Sequence, residues 1–478
     1  MLNSCTFLFV ILVAGFSTLY HKLSQVPSVP ELKDEWWGKG TKKLEEVAVF
    51  PFSISTASEV IERLNQRLLS SIENLTPPME HTSFEYGFNS ETMAKVIDFW
   101  INEYNWTAQE EYLNSFPQFT TYISGLRIHF VHVKPQSRKE QDFKALPILL
   151  LHGWLGSIRE MYELIPLLSA PQRIGSTGYA FEVVIPSLPG YGFSEGTQRQ
   201  GLTTDHVGLI MKKLMERLSL PRFYVHGSGI GSIIASEMAL LFPESVAGMH
   251  SNLCQSTSPL NIIKTMIGSR TAPFLFGDSH SAAKMYPLSR FIPFVLQESG
   301  LLHLQATKPD TIGIALRDSP VGLAAFILEK FSAWTRPCRI SAPDGGLNLG
   351  KEAVRTIDGG NLIPLNTLLD IIMIYHITGS ITTSMRLFAE NLSYTHVEKQ
   401  YDSIPITAVP VSCIRFPDEP FLTPEFTLRS RFPLLVRVNY APSHGGHFPA
   451  LEEPAVLARD IVESIHLMDG MKAEGIGS

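Results

Sequence analysis

The chain of 478 residues is poor in cysteine: it has four, and none stands in a CxxC pair or at a metal-ligand spacing. Cys5, Cys254, Cys338 and Cys413 are too scattered to predict a disulfide framework or a zinc site, and a reducing compartment fits them best. Positive charge is scarce as well. With a formal net charge of −7, a pI near 6.1 and only isolated Lys/Arg clusters, the sequence lacks the basic footprint of a nucleic-acid partner. Internal repeats and low-complexity tracts are also missing. What is left is an ordinary globular composition, 44% hydrophobic, enough for a large core in one big domain with additions or in two domains.

The most telling absence is a single side chain. Phe223-Tyr224-Val225-His226-Gly227-Ser228-Gly229-Ile230-Gly231-Ser232 reads as an apolar strand, a Gly-x-Nu-x-Gly turn and the start of a helix running to Leu241. In such a nucleophile elbow the central residue is strained so that its side chain stands above the sheet, and small residues two before and two after make room for it. Gly227 and Gly231 fill the flanking places, but the centre is Gly229. Glycine takes up the strained backbone at little cost and has no atom with which to attack a substrate.

At the N-terminus, Thr6 to Tyr20 is an uncharged apolar run followed by His21 and Lys22. It is short for a span of about 20 residues, and a cleaved signal peptide is the rival reading. No basic residue precedes the run and no clear small-x-small site follows it, which favours a retained anchor over residues 1–24. Lys22, Lys33 and Lys39 follow it, so the positive-inside rule puts the body in the cytosol, where the sequons at Asn74, Asn105 and Asn391 stay unmodified. Trp36-Trp37-Gly38 either lies against the bilayer surface or packs on the body.

Residues 47–120 read as an α-helical preface, with helical periods at Ala57–Leu69 and Glu91–Tyr104. Two strands around a turn follow at Tyr122–Val133, then a buried run at Pro147–Leu151. From there strands (Phe181–Ile185, Phe223–Val225) alternate with helices (Thr204–Leu218 and the one after the elbow), the βαβ rhythm of a parallel sheet covered on both faces. The expected organisation is a core in two parts, residues 121–259 and 393–478, interrupted by a helical cap over 260–392. Strand signals return at Ile406–Val411 and Leu434–Asn439, and the closing helix is Pro454–Met468.

Three motifs carry chemistry. His152-Gly153-Trp154-Leu155-Gly156-Ser157 follows a buried strand and suits a loop that offers a backbone N–H to a developing oxyanion; Ile230, after the elbow centre, supplies the second donor, and Trp154 walls the pocket. Pro186 to Ser194 is read as a structural loop closing the floor of the site. Near the C-terminus, His447 in His444-Gly445-Gly446-His447-Phe448 occupies the place of a general base and is preferred to His444. Its acid partner is sought in Phe416-Pro417-Asp418-Glu419-Pro420, with Glu419 ahead of Asp418. No motif implies a cofactor or a metal.

Together these residues resemble the microsomal epoxide hydrolases, including the insect juvenile hormone epoxide hydrolases, over nearly the whole chain. The likeness runs through the Trp-Trp-Gly, Thr76-Pro77-Pro78, Tyr86-Gly87-Phe88-Asn89, Gly125-Leu126-Arg127-Ile128-His129-Phe130, the HGW loop, Pro189 to Ser194, Thr307-Lys308-Pro309-Asp310-Thr311, Asp318 to Ala325, and the Gly-Gly-His-Phe close. It implies an α/β-hydrolase fold with a helical cap, an N-terminal helical extension, and an N-terminal anchor in the endoplasmic reticulum membrane with the body cytosolic. It also implies lipophilic partners, an epoxide or a terpenoid hormone-like molecule, and no nucleic acid.

The family's reaction uses an elbow aspartate that attacks the epoxide carbon, two cap tyrosines that hydrogen-bond the epoxide oxygen, and a His/acid pair that activates water on the resulting ester. Laid over this chain, the aspartate falls on Gly229 and the tyrosines on Leu301 and Ala389, while His447 and Glu419 match. The loop proline is Leu155, and the aromatic after the nucleophile is Ile230. The expectation is a family member with lost or strongly reduced turnover, a lipophilic-ligand-binding pseudoenzyme. Two alternatives stay open: an active epoxide hydrolase in which His447 drives water directly onto the epoxide, and a serine hydrolase using Ser228.

Overall fold

The computed structural model describes residues 15, 17–18, 20–135, 143–271, 282, 284–349, 354–355, 361–442 and 444–473. The anchor expected over residues 1–24 lies mostly outside the described residues, and among those described no single helix is long and apolar enough to cross a membrane.

The core is one sheet of ten strands: β1 (Phe50–Phe52), β2 (Gln118–Ile123), β3 (Leu126–Val133), β4 (Phe143–Leu151), β5 (Gln172–Ile174), β6 (Thr177–Pro186), β7 (Phe223–Gly227), β8 (Val246–Ser251), β11 (Val411–Arg415) and β12 (Leu435–Tyr440). A separate hairpin, β9 (Val354–Arg355) with β10 (Asn361–Leu362), lies between β8 and β11 in sequence. The sheet order is β1-β2-β3-β6-β4-β7-β8-β11-β12, with β5 on β6. From β6 to β12 neighbouring strands are parallel, and Ile148–Leu151 of β4 and all of β7 are buried, as expected of strands covered on both faces. The sheet is nonetheless mixed, because β1, β2 and β3 pair antiparallel with one another and β3 pairs antiparallel with β6.

Several expectations need correction. Residues 47–120 contain helices Ser58–Ile72, Ser90–Asn102 and Trp106–Leu113, but Phe50–Phe52 leaves that preface to form the sheet edge. The strand expected at Ile406–Val411 begins only at Val411. Pro410 has no N–H to give to a ladder, so pairing starts after it. Strands β5 and β8 were not anticipated. Trp36 and Trp37 pack on the body: Trp37 is 3% exposed, its N–H donates to the Ser124 carbonyl at 2.7 Å, and its ring meets His206 edge-on. Trp36 lies over Gly125, where any Cβ would come within 2.6 Å of its ring.

Cysteine spacing also misled. Cys254, just past β8, is joined to Cys413 in β11 by a disulfide, with Cα atoms 6.0 Å apart across 159 residues of sequence. Spacing along the chain does not register a pair created by neighbouring strands, so the disulfide is one that the cysteine spacing did not indicate. Cys338 is free and exposed.

Helices fill the stretch between β8 and β11, from Pro259–Thr271 to Ile381–Asn391. One buried polar clamp ties this stretch to the rest. Asp370, fully buried in helix Leu365–Thr378, accepts from Arg159 Nε at 2.9 Å and from the Tyr104 hydroxyl at 2.9 Å, while Arg159 also donates to Thr367 Oγ1 at 3.0 Å. The helical preface, the turn after the HGW loop and the inserted helices thus meet at one carboxylate.

Candidate functional site

At the C-terminal end of β7 the backbone turns sharply into helix Ile230–Leu241, and Gly229 sits at the bend with φ 53° and ψ −125°. Its neighbours show that residue 229 is the centre of the elbow. A Cβ on Gly227 would stand 2.3 Å from the Gly231 carbonyl oxygen, and one on Gly231 would stand 2.4 Å from that of Leu151, so both flanking positions require glycine. The atoms nearest to a Cβ on Gly229 would be Gly153 Cα at 3.1 Å, His447 Nε2 at 3.6 Å and Trp154 N at 3.8 Å. A side chain here would therefore project between the imidazole and the HGW loop backbone.

The imidazole faces this gap because its other nitrogen is held from behind. His447 Nδ1 lies 3.1 and 3.0 Å from the two Glu419 oxygens, and Glu419, 1% exposed, also accepts the Phe421 N–H at 2.9 Å. Trp334, in helix Pro320–Thr335, fixes the loop: its carbonyl accepts the His447 N–H at 2.9 Å and its ring stands 5.0 Å from the imidazole. Burial alone would depress the His447 pKa. The Glu419 carboxylate outweighs it, with help from Glu160 and Glu452, and holds the imidazole above its ordinary 6.5. Glu452 is itself buried among the backbone N–H groups of Gly446 and Phe448, at 3.0–3.1 Å, and burial pushes its carboxyl up to about 8.

The HGW loop is braced by Glu160, a residue that no motif singled out. Its Oε2 accepts the Gly153 N–H at 3.2 Å, its carboxyl lies beside the Ser228 side chain, and Oε1 has no hydrogen-bond partner. Burial raises its pKa against the pull of Ser228 and Gly153. No sequence signal marks it, because Glu160 does not pair with the adjacent Arg159, whose partners are Asp370, Glu163 and Thr367, and only its burial gives it weight. Trp154 walls the site as expected: its indole donates to Ser384 Oγ at 3.2 Å and its ring abuts Phe326 and Phe388 of the inserted helices. Leu155 has φ 64°, a conformation closed to proline. His152 is structural, accepting the Leu188 N–H at 3.3 Å, and burial lowers its pKa to about 4.

Leu301 and Ala389 fall on helices Gly300–Thr307 and Ile381–Asn391, which pack against each other, so the two tyrosine positions belong to one helix pair. Leu301 is buried at 9% exposure and contributes no donor. Tyr394, a tyrosine close in sequence to residue 389, is 80% exposed and lines a different cavity. Ile230 begins the elbow helix and is 5% exposed. Ser228 is buried against Glu160, and it is the Cβ direction of residue 229 that points to His447. Asp418 and His444 stay outside the His447–Glu419 pair. Among the described residues no group of His, Cys, Asp and Glu is arranged to hold a metal.

Residues 49–161 match the family described as "Epoxide hydrolase N terminus", and residues 147–272 match "alpha/beta hydrolase fold". The chain is 42% identical to "Juvenile hormone epoxide hydrolase 2" of Ctenocephalides felis, with 97% of this chain and 96% of that protein covered. It is 40% identical to "Epoxide hydrolase 1" of Oryctolagus cuniculus, covering 92% and 93%. Among solved structures, the juvenile hormone epoxide hydrolase of the silkworm Bombyx mori superimposes with a TM-score of 0.84 at 38% identity, covering 92% of this chain and 99% of that one.

Proposed function

The chain belongs to the microsomal epoxide hydrolase family, which includes the juvenile hormone epoxide hydrolases, and from that premise we propose that it binds lipophilic epoxides or terpenoid hormone-like molecules with ring-opening turnover lost or strongly reduced. The observation that carries this reading is glycine at the centre of the elbow, where a Cβ would already stand 3.6 Å from His447 Nε2 and no side-chain atom is there to react. In the family reaction a carboxylate oxygen bonds the epoxide carbon as the ring C–O bond breaks, and the oxygen, leaving as an alkoxide, takes a proton from tyrosine. Here no atom of residue 229 can form that bond, and Leu301 and Ala389 have no proton to give. Loss of the nucleophile alone from such a unit costs on the order of 10⁴ to 10⁶ in rate, and the missing oxygen-side donors roughly 10² more, though such losses need not multiply. Removing one carboxylate and two hydroxyls also leaves a more apolar pocket, which suits retention of a lipophilic ligand.

His447, Glu419 and Glu160 keep the frame of the water-activating half of the reaction, which supports a second, minor reading: direct attack by His447-activated water. Residues 260–392 act as the cap, and residues 1–24 anchor the protein in the endoplasmic reticulum membrane with the body cytosolic. The Cys254–Cys413 bond is unusual for that side of the membrane.

The test is an incubation of full-length protein with cis-stilbene oxide and with a juvenile-hormone-type terpenoid epoxide. Saturable binding with intact epoxide recovered supports the proposal; many diols released per protein overturn it. Any slow diol formation separates the two readings by its pH profile. Because Glu419 raises the His447 pKa, direct water attack should speed up as pH climbs through a value above 6.5 and His447 loses its proton.

A further inference from the structure

Lys284 belongs to the inserted stretch between β8 and β11, and its side chain reaches out of that stretch to the loop that carries the acid. Its Nζ donates to the backbone carbonyl of Glu419 at 2.9 Å and also to that of Pro417. The residues around it are fixed. Ala282 and Met285 are buried at 4% and 6% exposure, and the Tyr286 hydroxyl donates to the Thr265 carbonyl of helix Pro259–Thr271 at 2.7 Å. Burial lowers the Lys284 pKa against the pull of Glu419 and Asp418, and the two carbonyls replace water that the ammonium has lost.

The acid loop calls for such a holder because of its own sequence. In Phe416-Pro417-Asp418-Glu419-Pro420, neither proline has an N–H with which to fasten the backbone. Between them, the Asp418 N–H donates to the Gly445 carbonyl at 3.0 Å, and the Glu419 N–H makes a 3.3 Å bond within the loop, to the Phe416 carbonyl. Lys284 takes two of the loop's carbonyls at once. One of them belongs to the residue whose carboxylate oxygens lie 3.1 and 3.0 Å from His447 Nδ1. Such a contact persists only when the backbone beneath it is held to within about 0.5 Å.

We propose that Lys284 is a positioning residue: its ammonium fastens the acid loop to the inserted helices and so holds the Glu419 carboxylate against His447. This rests on reading His447 and Glu419 as the retained water-activating pair. Against burial, the carboxylates of Glu419, Glu160 and Glu452 keep the His447 imidazole above its ordinary 6.5. Without Lys284 the Glu419 carboxylate draws back and the His447 pKa falls. Loss of a nearby positive charge alone would move it the other way, so the sign of the change separates positioning from a simple field effect.

Full-length protein is exposed to D2O over a range of pH, and deuterium uptake at the His447 imidazole Cε1–H is followed by fragment mass spectrometry. The rate against pH gives the pKa of that ring without turnover or ligand, so the outcome is independent of whether ring opening is lost. Lys284→Met is expected to lower the His447 pKa by about half a unit or more. Lys284→Gln, one bond too short to reach both carbonyls, is expected to lower it as well, and it decides by the same signs where Lys284→Met does not fold. Lys284→Arg, which keeps the charge and the donors, is expected to leave it within about 0.2 unit. A His447 pKa that stays or rises without Lys284 overturns the assignment, even where the thermal midpoint drops, because a merely structural contact would do that. A fall in Lys284→Arg as large as in Lys284→Met overturns it too.

Discussion

At the scale of single residues, the groups that shape the site through burial are distinct from those that name it. Glu452 holds the backbone on both sides of the His447 loop, and burial raises its carboxyl to about 8. Between its unfolded value, about 4.5, and about 8, the folded protein carries a proton there that the unfolded chain has released. Stability from this group is fully present below the unfolded value and is lost as pH rises, at up to about 1.4 kcal/mol per pH unit. Glu452→Gln keeps an oxygen acceptor for both N–H groups and should flatten the fall in urea midpoint between pH 5 and pH 8; an unchanged slope would contradict the assignment. His447 and Glu419 were legible because they sit in motifs with a fixed place after particular strands. Glu160 and Glu452 were not, because their significance lies in burial, which a sequence does not display for a lone glutamate.

Among the elements, the clamp of Arg159, Asp370 and Tyr104 joins three segments that a sequence reading treats separately. Breaking a buried pair from one side is costly, but Arg159 keeps the Glu163 carboxylate at 3.1 Å, so Asp370→Ala should cost about 3 kcal/mol, the low end for such a loss, in denaturant unfolding. It should also loosen the HGW loop, since Arg159 is adjacent to the Glu160 that holds Gly153. A loss below about 1 kcal/mol would contradict this and leave Glu163 as the carboxylate that matters to Arg159. Helix Thr204–Arg217 and the hairpin of β2 and β3 were readable from periodicity and turn residues. The strand placed at Ile406–Val411 was displaced because apolar character extends across Pro410 while the hydrogen-bond ladder does not.

For the whole molecule, the alternation of strands and helices was enough to place the parallel core, and the helical sequence between β8 and β11 was legible as helical. Pairings between distant segments were hidden: the antiparallel edge made by Phe50–Phe52, and the disulfide between Cys254 and Cys413. The same long-range assembly brings Gly229, His447 and the HGW loop together, with glycine at the centre of the bend. An aspartate at residue 229 would face a Cβ contact of 3.1 Å and the strained backbone of the bend, a cost of about 1–3 kcal/mol that a fold of this size can absorb.

The most direct measurement is the rate of diol formation from a juvenile-hormone-type epoxide by the unmutated chain, set beside Gly229→Asp combined with Leu301→Tyr and Ala389→Tyr. The account predicts no turnover above the uncatalysed background for the unmutated chain and at least about a 10³-fold gain for the triple variant, with Gly229→Asp alone falling between. Turnover by the unmutated chain that the triple variant does not exceed would contradict it, and would place the chemistry on a group other than residue 229.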